Sequence, residues 1–388
     1  MTFRGLPTLL AISLLLASCG GDGGSVVADA GNPNDGTLQS VLDQVRTGHN
    51  VPAVAAVLIE GGTIVEIGVS GTRLINGQEP VTTDDQWHIG SISKSMTSTL
   101  AAIYIERGML DWETTLADVL LADIPDMRGE YHDVRIEQLM AHTGGLPVDI
   151  LRSAAARAGD YNDDSPLSMT ERRLNWSADM LRLAPETAPG VHQYSNANYI
   201  VLGAVIEKVT GEQWEDVIGR ELFAPLGMSN SGFGPPGTAG LRTQPWGHVN
   251  RSGSWQAIDP GDDEAESALA IGPAGTIHTT LQDFSAYMAA HLAGERGGDG
   301  VLLAATFARL HTPQPGTDYA GGWVTNTNGW AGTPSFWHNG SNGRWFAHTV
   351  IAADRNAAVF AASNSGSRAA VEDLIGVMIQ RFEAGRNP

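Results

Sequence analysis

Ser91 and Lys94 stand three residues apart in the stretch HIGSISKSM, residues 88–96. In a helix that spacing puts a hydroxyl and an amine on one face, with both side chains leaning toward the N-terminus. Lysine is scarce here: Lys94 and Lys208 are the only two among 23 lysines and arginines. A solvated face would be served as well by arginine, so an amine beside a serine reads as a chemical choice. An ordinary lysine, with a pKa of about 10.4, is no base at neutral pH. Buried, it gives up its proton readily, or it stays charged and lowers the pKa of a neighbouring phenol; arginine can do only the second. A helix start would also favour negative charge at Ser91 through its unpaired N–H groups. Taken alone, the pair fits a helix-capping serine followed by an exposed lysine equally well.

Two distant segments bear on that choice. PGVHQYSNANYIVLGAVIEKVTG carries Tyr194-Ser195-Asn196 in a loop just before a helix, and FWHNGSNGRWF carries His338-Asn339-Gly340 in a strand-rich region. Singly, Tyr194 and Asn196 suit a turn, Gly340 a turn glycine and His338 a strand core. In this order, S-x-x-K, Y-x-N and H-x-G resemble the three-element pattern of the penicillin-recognising serine hydrolases. The chain resembles the class C β-lactamase-like family, which also includes D,D-peptidases, D-aminopeptidases and carboxylesterases. LMAHTGGLP (139–147), LFAPLGMSNSGF (222–233) and GPAGTIHTTLQDF (272–284) are similar to that family's connecting motifs, and the resemblance runs from about residue 37 to the end.

The resemblance implies roles. Ser91 is the expected nucleophile, attacking an ester or amide carbonyl to form an acyl-enzyme, with Lys94 and Tyr194 sharing the proton transfers. Asn196 is expected to hold the substrate amide or the lysine. The backbone N–H groups of Ser91 and Ser341 would bind the oxyanion, and Gly340 would let substrate lie along its strand. His338 departs from the lysine usual in penicillin-processing members. A neutral imidazole anchors a carboxylate poorly, which points to esters, small peptides or amides rather than β-lactams, unless Arg344 supplies the charge. The alternatives are a β-lactamase or D,D-carboxypeptidase acting on cell-wall peptides, and a non-catalytic ligand-binding lipoprotein. The expected chemistry uses no cofactor. Eleven histidines without H-E-x-x-H or a cysteine partner argue against a metal site. No G-x-S-x-G or phosphate-cradling loop occurs. His142 in AHTGG reads as loop-shaping, and Trp255, Trp337 and Trp345 line an acyl pocket or simply pack.

The elements that must position these residues follow from periodicity. Helices are expected near Thr37–Arg46, Ser91–Arg107 (stopped by Gly108), Tyr199–Val209 (ending at Gly211), Leu281–Leu292 and Arg368–Phe382. The second should bury one stripe of Ile92, Met96, Leu100 and Ile103. Pro52–Ile59 and Thr63–Val69 read as strands joined by Gly-Gly. Gly321–Ser363 reads as antiparallel strands with turns at TNTNG, NGSNG and AADRN. Strands at both ends around a mostly helical lobe, roughly residues 110–270, make an α+β assembly. The resemblance implies that it is of the β-lactamase/transpeptidase type, an antiparallel sheet flanked by helices, over residues 37–388.

Residues 1–18 read as a secretory signal, too short for a stable membrane span, and run into LASC at residues 16–19. Cys19, the only cysteine, resembles the acylated residue of a bacterial lipoprotein; the alternative is an ordinary signal with a chance cysteine. Residues 19–36 read as a flexible tether. The expectation is an exported protein, lipid-anchored in the cell envelope, on the periplasmic side if the cell is Gram-negative. A net charge of −20 argues against nucleic-acid partners and leaves membrane attachment to the lipid.

Overall fold

Ala53–Glu60 (β1) and Thr63–Gly71 (β2) pair antiparallel around Gly61 and Gly62, both at positive φ, as a two-residue hairpin requires. The computed structural model describes residues 36–148, 165–328 and 330–385. The expected signal, Cys19 and all but the last residue of the tether lie outside the described residues.

Six helices exceed ten residues among the described residues: α1 Leu38–Gly48, α2 Ser93–Glu106, α3 Met169–Arg182, α4 Asn196–Thr210, α5 Leu281–Glu295 and α6 Arg368–Ala384. Three short strands, β3 (Trp87–His88), β4 (Gly232–Phe233) and β7 (Ile277–Thr279), form a small sheet ordered β3-β7-β4. A hairpin, β5 (Gly247–Arg251) and β6 (Ser254–Ile258), interrupts the lobe expected to be mostly helical. The C-terminal part supplies β8 (Tyr319–Ala320), β9 (Trp323–Asn328), β10 (Gly332–Ser341), β11 (Phe346–Ala352) and β12 (Ala357–Ser363). With β1 and β2 they make a seven-stranded antiparallel sheet in the order β2-β1-β12-β11-β10-β9-β8. The fold is therefore α+β, with one sheet assembled from the two ends of the chain, as expected.

Period-two alternation gives the sheet two buried faces. Val54, Ala56 and Leu58 of β1 pack with Val41 and Leu42 of α1 and Leu374 and Met378 of α6. Ala55, Val57 and Ile59 point the other way, into a core shared with Phe284 of α5, α2 and the helical lobe. The helix containing Lys94 differs from expectation. It is enclosed on all sides from Ser93 to Ala102, not along one stripe. Its polar residues tolerate this because each finds a partner: Ser95 Oγ donates to Ile92 O (2.8 Å), Thr97 Oγ1 to Pro273 O (2.7 Å) and Thr99 Oγ1 to Ser95 O (2.9 Å). The turn expected across NGSNG is also shorter, because Asn339 to Ser341 continue β10 opposite His348 to Phe346.

Candidate active site

Ser91 lies in a 3₁₀ turn, Gly90–Ile92, and not in the first turn of the expected helix, which begins at Ser93. The turn depends on Gly90 at φ +51, where a Cβ would stand 2.3 Å from Ser341 N. At Gly340 a Cβ would come within 2.0 Å of Ile89 O and 2.5 Å of Ser91 N. Glycine is thus required at both positions so that β10 can press against the Ser91 turn. That close approach, more than room for a substrate, is the reason for Gly340. It brings the amides of Ser91 and Ser341 together from segments about 250 residues apart in the chain.

Lys94 is fully buried. Its Nζ donates to Ser91 Oγ at 3.0 Å and to Ala274 O at 2.7 Å, and lies 5.0 Å from the centre of the Tyr194 ring. Among the described residues no carboxylate compensates it, and burial holds its pKa well below the ordinary lysine value. Tyr194 reaches Ser91 with its hydroxyl; burial pushes the phenol up, and the bond to Ser91 opposes this only in part. The loop before α4 is fixed by Ser195, whose Oγ donates to Pro147 O (2.6 Å) and caps Ala197 N (3.1 Å). The structure therefore brings Ser91, Lys94 and Tyr194 into mutual contact. With Lys94 neutral, the cluster can accept the serine proton and pass one onward.

The remaining expected residues surround this group. Asn196 is the first residue of α4, half-buried, and among the described residues it is not a partner of Lys94. Ser341 is exposed, and its Oγ donates to Trp345 O (2.6 Å) and accepts from Gly343 N (2.9 Å), which closes the turn after β10. The pairing of β9 with β10 ends at Val324 and Trp337. From His338 to Ser341 one edge of β10 therefore has no strand beside it among the described residues, which leaves it open to an extended ligand. His338 has both ring nitrogens engaged: Nδ1 donates to Asn339 O, and Nε2 accepts from Tyr319 O–H at 2.9 Å. Burial, with Lys94 nearby, lowers its pKa to about 3.

Three neighbours were not assigned a site role from sequence. Tyr319 joins His338 to the cluster, with its ring 6.0 Å from that of Tyr194. His142 does shape its loop, at φ +56, yet its ring also lies 4.2 Å from Tyr194 and 4.5 Å from Tyr319, forming the back wall. Its Nδ1 accepts from Ser195 N at 3.3 Å. Ala274 contributes only a carbonyl, which no side-chain signal could mark. The tryptophans resolve as packing residues: Trp345 is buried edge-on to Trp87, Trp337 packs on the α1–α6 side of the sheet, and Trp255 Nε1 donates to Asn50 O. Arg344 turns its Nη1 to Asn342 O at 2.6 Å.

A family model described as Beta-lactamase matches residues 38–378. Penicillin-binding protein 4 of Amycolatopsis lactamdurans is 28% identical over 332 residues, 81% of each chain. Among solved structures, an octameric penicillin-binding protein homologue from Pyrococcus abyssi superposes with a TM-score of 0.71 at 22% identity, over 89% of this chain and 76% of that one. The D-amino acid amidase of Ochrobactrum anthropi SV3, complexed with L-phenylalanine amide, gives 0.68 at 19% identity, over 92% and 99%. These last two share the fold. A buried amine against a serine, within this fold, defines the class as serine hydrolase. The chain belongs to the Beta-lactamase family.

Proposed function

We propose that the protein hydrolyses carboxylic esters or small peptides and amides through an acyl-enzyme on Ser91. The observation that carries this reading is the contact of Ser91 Oγ with a fully buried lysine that has no acidic partner among the described residues. As Oγ bonds to the substrate carbonyl carbon, the hydroxyl proton moves to Lys94 Nζ. The carbonyl oxygen becomes an oxyanion between the N–H groups of Ser91 and Ser341. When the C–O or C–N bond breaks, the leaving group takes the proton from Lys94 by way of Tyr194. Water then attacks the acyl carbon, gives its proton to the same base, and Ser91 recovers its own as the acid leaves. The high phenol pKa of Tyr194 favours Lys94 as the resting base and Tyr194 as the relay.

The third segment supports an uncharged substrate. His338 is neutral at physiological pH and its nitrogens are occupied, while the one arginine of the adjoining turn is bonded to its own backbone. A carboxylate-bearing β-lactam or cell-wall peptide would find no protonated histidine there. Arg344, with Nη1 held by Asn342 O and Nε without a partner among the described residues, is the cation left to meet it. The test is a panel of p-nitrophenyl esters, amino-acid amides and a chromogenic cephalosporin on the soluble form beginning after residue 18. Ester or amide turnover well above cephalosporin turnover is expected. The likeness to a penicillin-binding protein favours the second reading, and equal turnover would establish it. Failure of a fluorophosphonate to label Ser91 would mean a binding protein. Export and lipid attachment at Cys19 are proposed from the LASC sequence; Cys19→Ala should move the protein from the membrane fraction to the soluble one.

A further inference from the structure

The two amides read above as the oxyanion site belong to different parts of the chain, and three side chains outside the Ser91–Lys94–Tyr194 group connect them. His88 is fully buried two residues before Gly90. Its Nδ1 accepts the Gly90 N–H at 3.2 Å. A backbone amide can only donate, so Nδ1 carries no proton and the ring hydrogen is on Nε2. That nitrogen faces Glu266 Oε2 at 2.5 Å, and the Glu266 side chain is only 8% exposed. On the other side, Asn342 Nδ2 lies 3.4 Å from both Glu266 oxygens and 3.2 Å from Ala265 O. Asn342 Oδ1 accepts from the amides of Arg344 (3.1 Å) and Trp345 (3.2 Å), which fixes the turn that directly follows Ser341. One carboxylate thus holds the imidazole behind the nucleophile turn and the amide behind the β10 turn.

We propose that Glu266, His88 and Asn342 are positioning residues that set the separation and aim of the Ser91 and Ser341 amides. The proposal rests on the reading of Ser91 as nucleophile. The carboxylate acts first on the tautomer of His88. With Nε2–H directed at Glu266, Nδ1 stays free to accept from Gly90, and Gly90 is the residue whose left-handed conformation presents the Ser91 amide. Ser93 Oγ donates to Gly90 O at 2.7 Å, so Gly90 is held at both its N–H and its carbonyl, the latter in the same peptide group as the Ser91 amide. Glutamate suits the position because every group facing it donates: His88 Nε2–H, Asn342 Nδ2–H and the Ser267 amide at 2.8 Å. Glutamine has the same shape but must turn an NH₂ toward one of these donors. An oxyanion donor is effective only within a few tenths of an ångström of its ideal distance, and loss of one costs roughly 10²–10³ in rate. Misplacement should cost part of that.

Glu266→Gln and Asn342→Ala separate this role from simple support of the fold. Ester hydrolysis would be followed together with inhibition by phenylboronic acid, which forms a tetrahedral adduct with a reactive serine and so needs the oxyanion donors. Active sites would be counted by fluorophosphonate labelling, and folding followed by thermal melting. The expected result is a fall in kcat per active site of about 10- to 100-fold, an equal weakening of the boronate, and KM within about threefold of the parent. The inference is overturned if kcat per active site and boronate affinity stay at parental values, or if KM rises while kcat holds. Should Glu266→Gln fail to fold, the variant of the half-buried Asn342, Asn342→Ala, decides alone. Failure of the underlying reading looks different: the parent protein itself then shows neither Ser91 labelling nor boronate binding.

Discussion

Lys94 is a cation by composition and a base by environment. Desolvation penalises the ammonium, and among the described residues no carboxylate offsets the penalty and only Ser91 Oγ and Ala274 O accept from it. Its pKa is lowered in the folded protein, so the neutral, proton-accepting form holds above that lowered value and is lost as pH falls through it. The kcat/KM profile for an ester should therefore be flat at alkaline pH and fall on acidification, along a single limb far below the usual lysine value. Burial also lowers the pKa of His338, to about 3, and substitution of Lys94 separates the two groups. Lys94→Arg keeps a charge but cannot transfer its proton, and kcat should drop by roughly a hundredfold or more. The acid limb assigned to Lys94 should vanish with it. A variant that acylates at the parental rate, measured by single-turnover release of p-nitrophenol, removes lysine from the base role. The pairing of Ser91 with Lys94 was legible in the sequence because both lie within one turn of chain. The interior position that makes the amine useful was not, since SKSMTST alone looks like the polar face of a helix.

At the scale of elements, the decisive contact is a strand pressed against a turn. Gly340 and Gly90 meet with no space for a methyl group on either, and the obstructing atoms are backbone, which cannot swing aside. Gly340→Ala should destabilise the protein by about 1–3 kcal/mol and lower kcat at least tenfold by displacing the Ser91 turn. Gly376→Ala is the opposing control. It sits inside α6 with nothing within 4 Å of an added Cβ, and helix propensity predicts a gain of about 0.5–1 kcal/mol. Urea unfolding of both variants, with ester kinetics on the first, checks signs and sizes; a neutral Gly340→Ala would mean that β10 does not press on the turn in solution. The hairpin of β1 and β2 matched its expected limits within two residues, because its period and its Gly-Gly turn are local. The start of α2 was displaced because 3₁₀ and α turns bury the same residues, and only Gly90 at positive φ separates them. The partnership of Gly340 with Ile89 and Ser91 depends on the folded chain, so sequence spacing carries no trace of it.

Across the whole molecule, the site stands where the helical lobe meets the sheet, and one buried arginine ties that junction. Arg173 on α3 is fully buried; its Nη1 donates to Glu207 on α4, its Nη2 to Glu215 at 2.6 Å and its Nε to Ala270 O at 3.0 Å. Burial lifts the Glu207 carboxyl to about 7 against the pull of Arg173. The chain segment that begins at Ala270 goes on to Pro273, which packs against α4 at Gly203, where a Cβ would lie 2.3 Å from the proline ring. The next carbonyl, Ala274 O, holds the Lys94 amine. A single guanidinium thus connects two helices of the lobe with the backbone that aims the base. Its attraction for two carboxylates need not exceed the cost of desolvating all three charges, so the cluster is no proof of net stabilisation. Removing one member is another matter. Arg173→Met leaves both carboxylates facing an apolar side chain and should cost about 3–5 kcal/mol in urea unfolding. Under conditions where the variant remains folded, its acid limb should shift and kcat should fall, since Ala274 O loses its brace. A variant with parental pH dependence and reduced stability would confine Arg173 to holding the lobe together, with the base aimed by Pro273 and α4 alone.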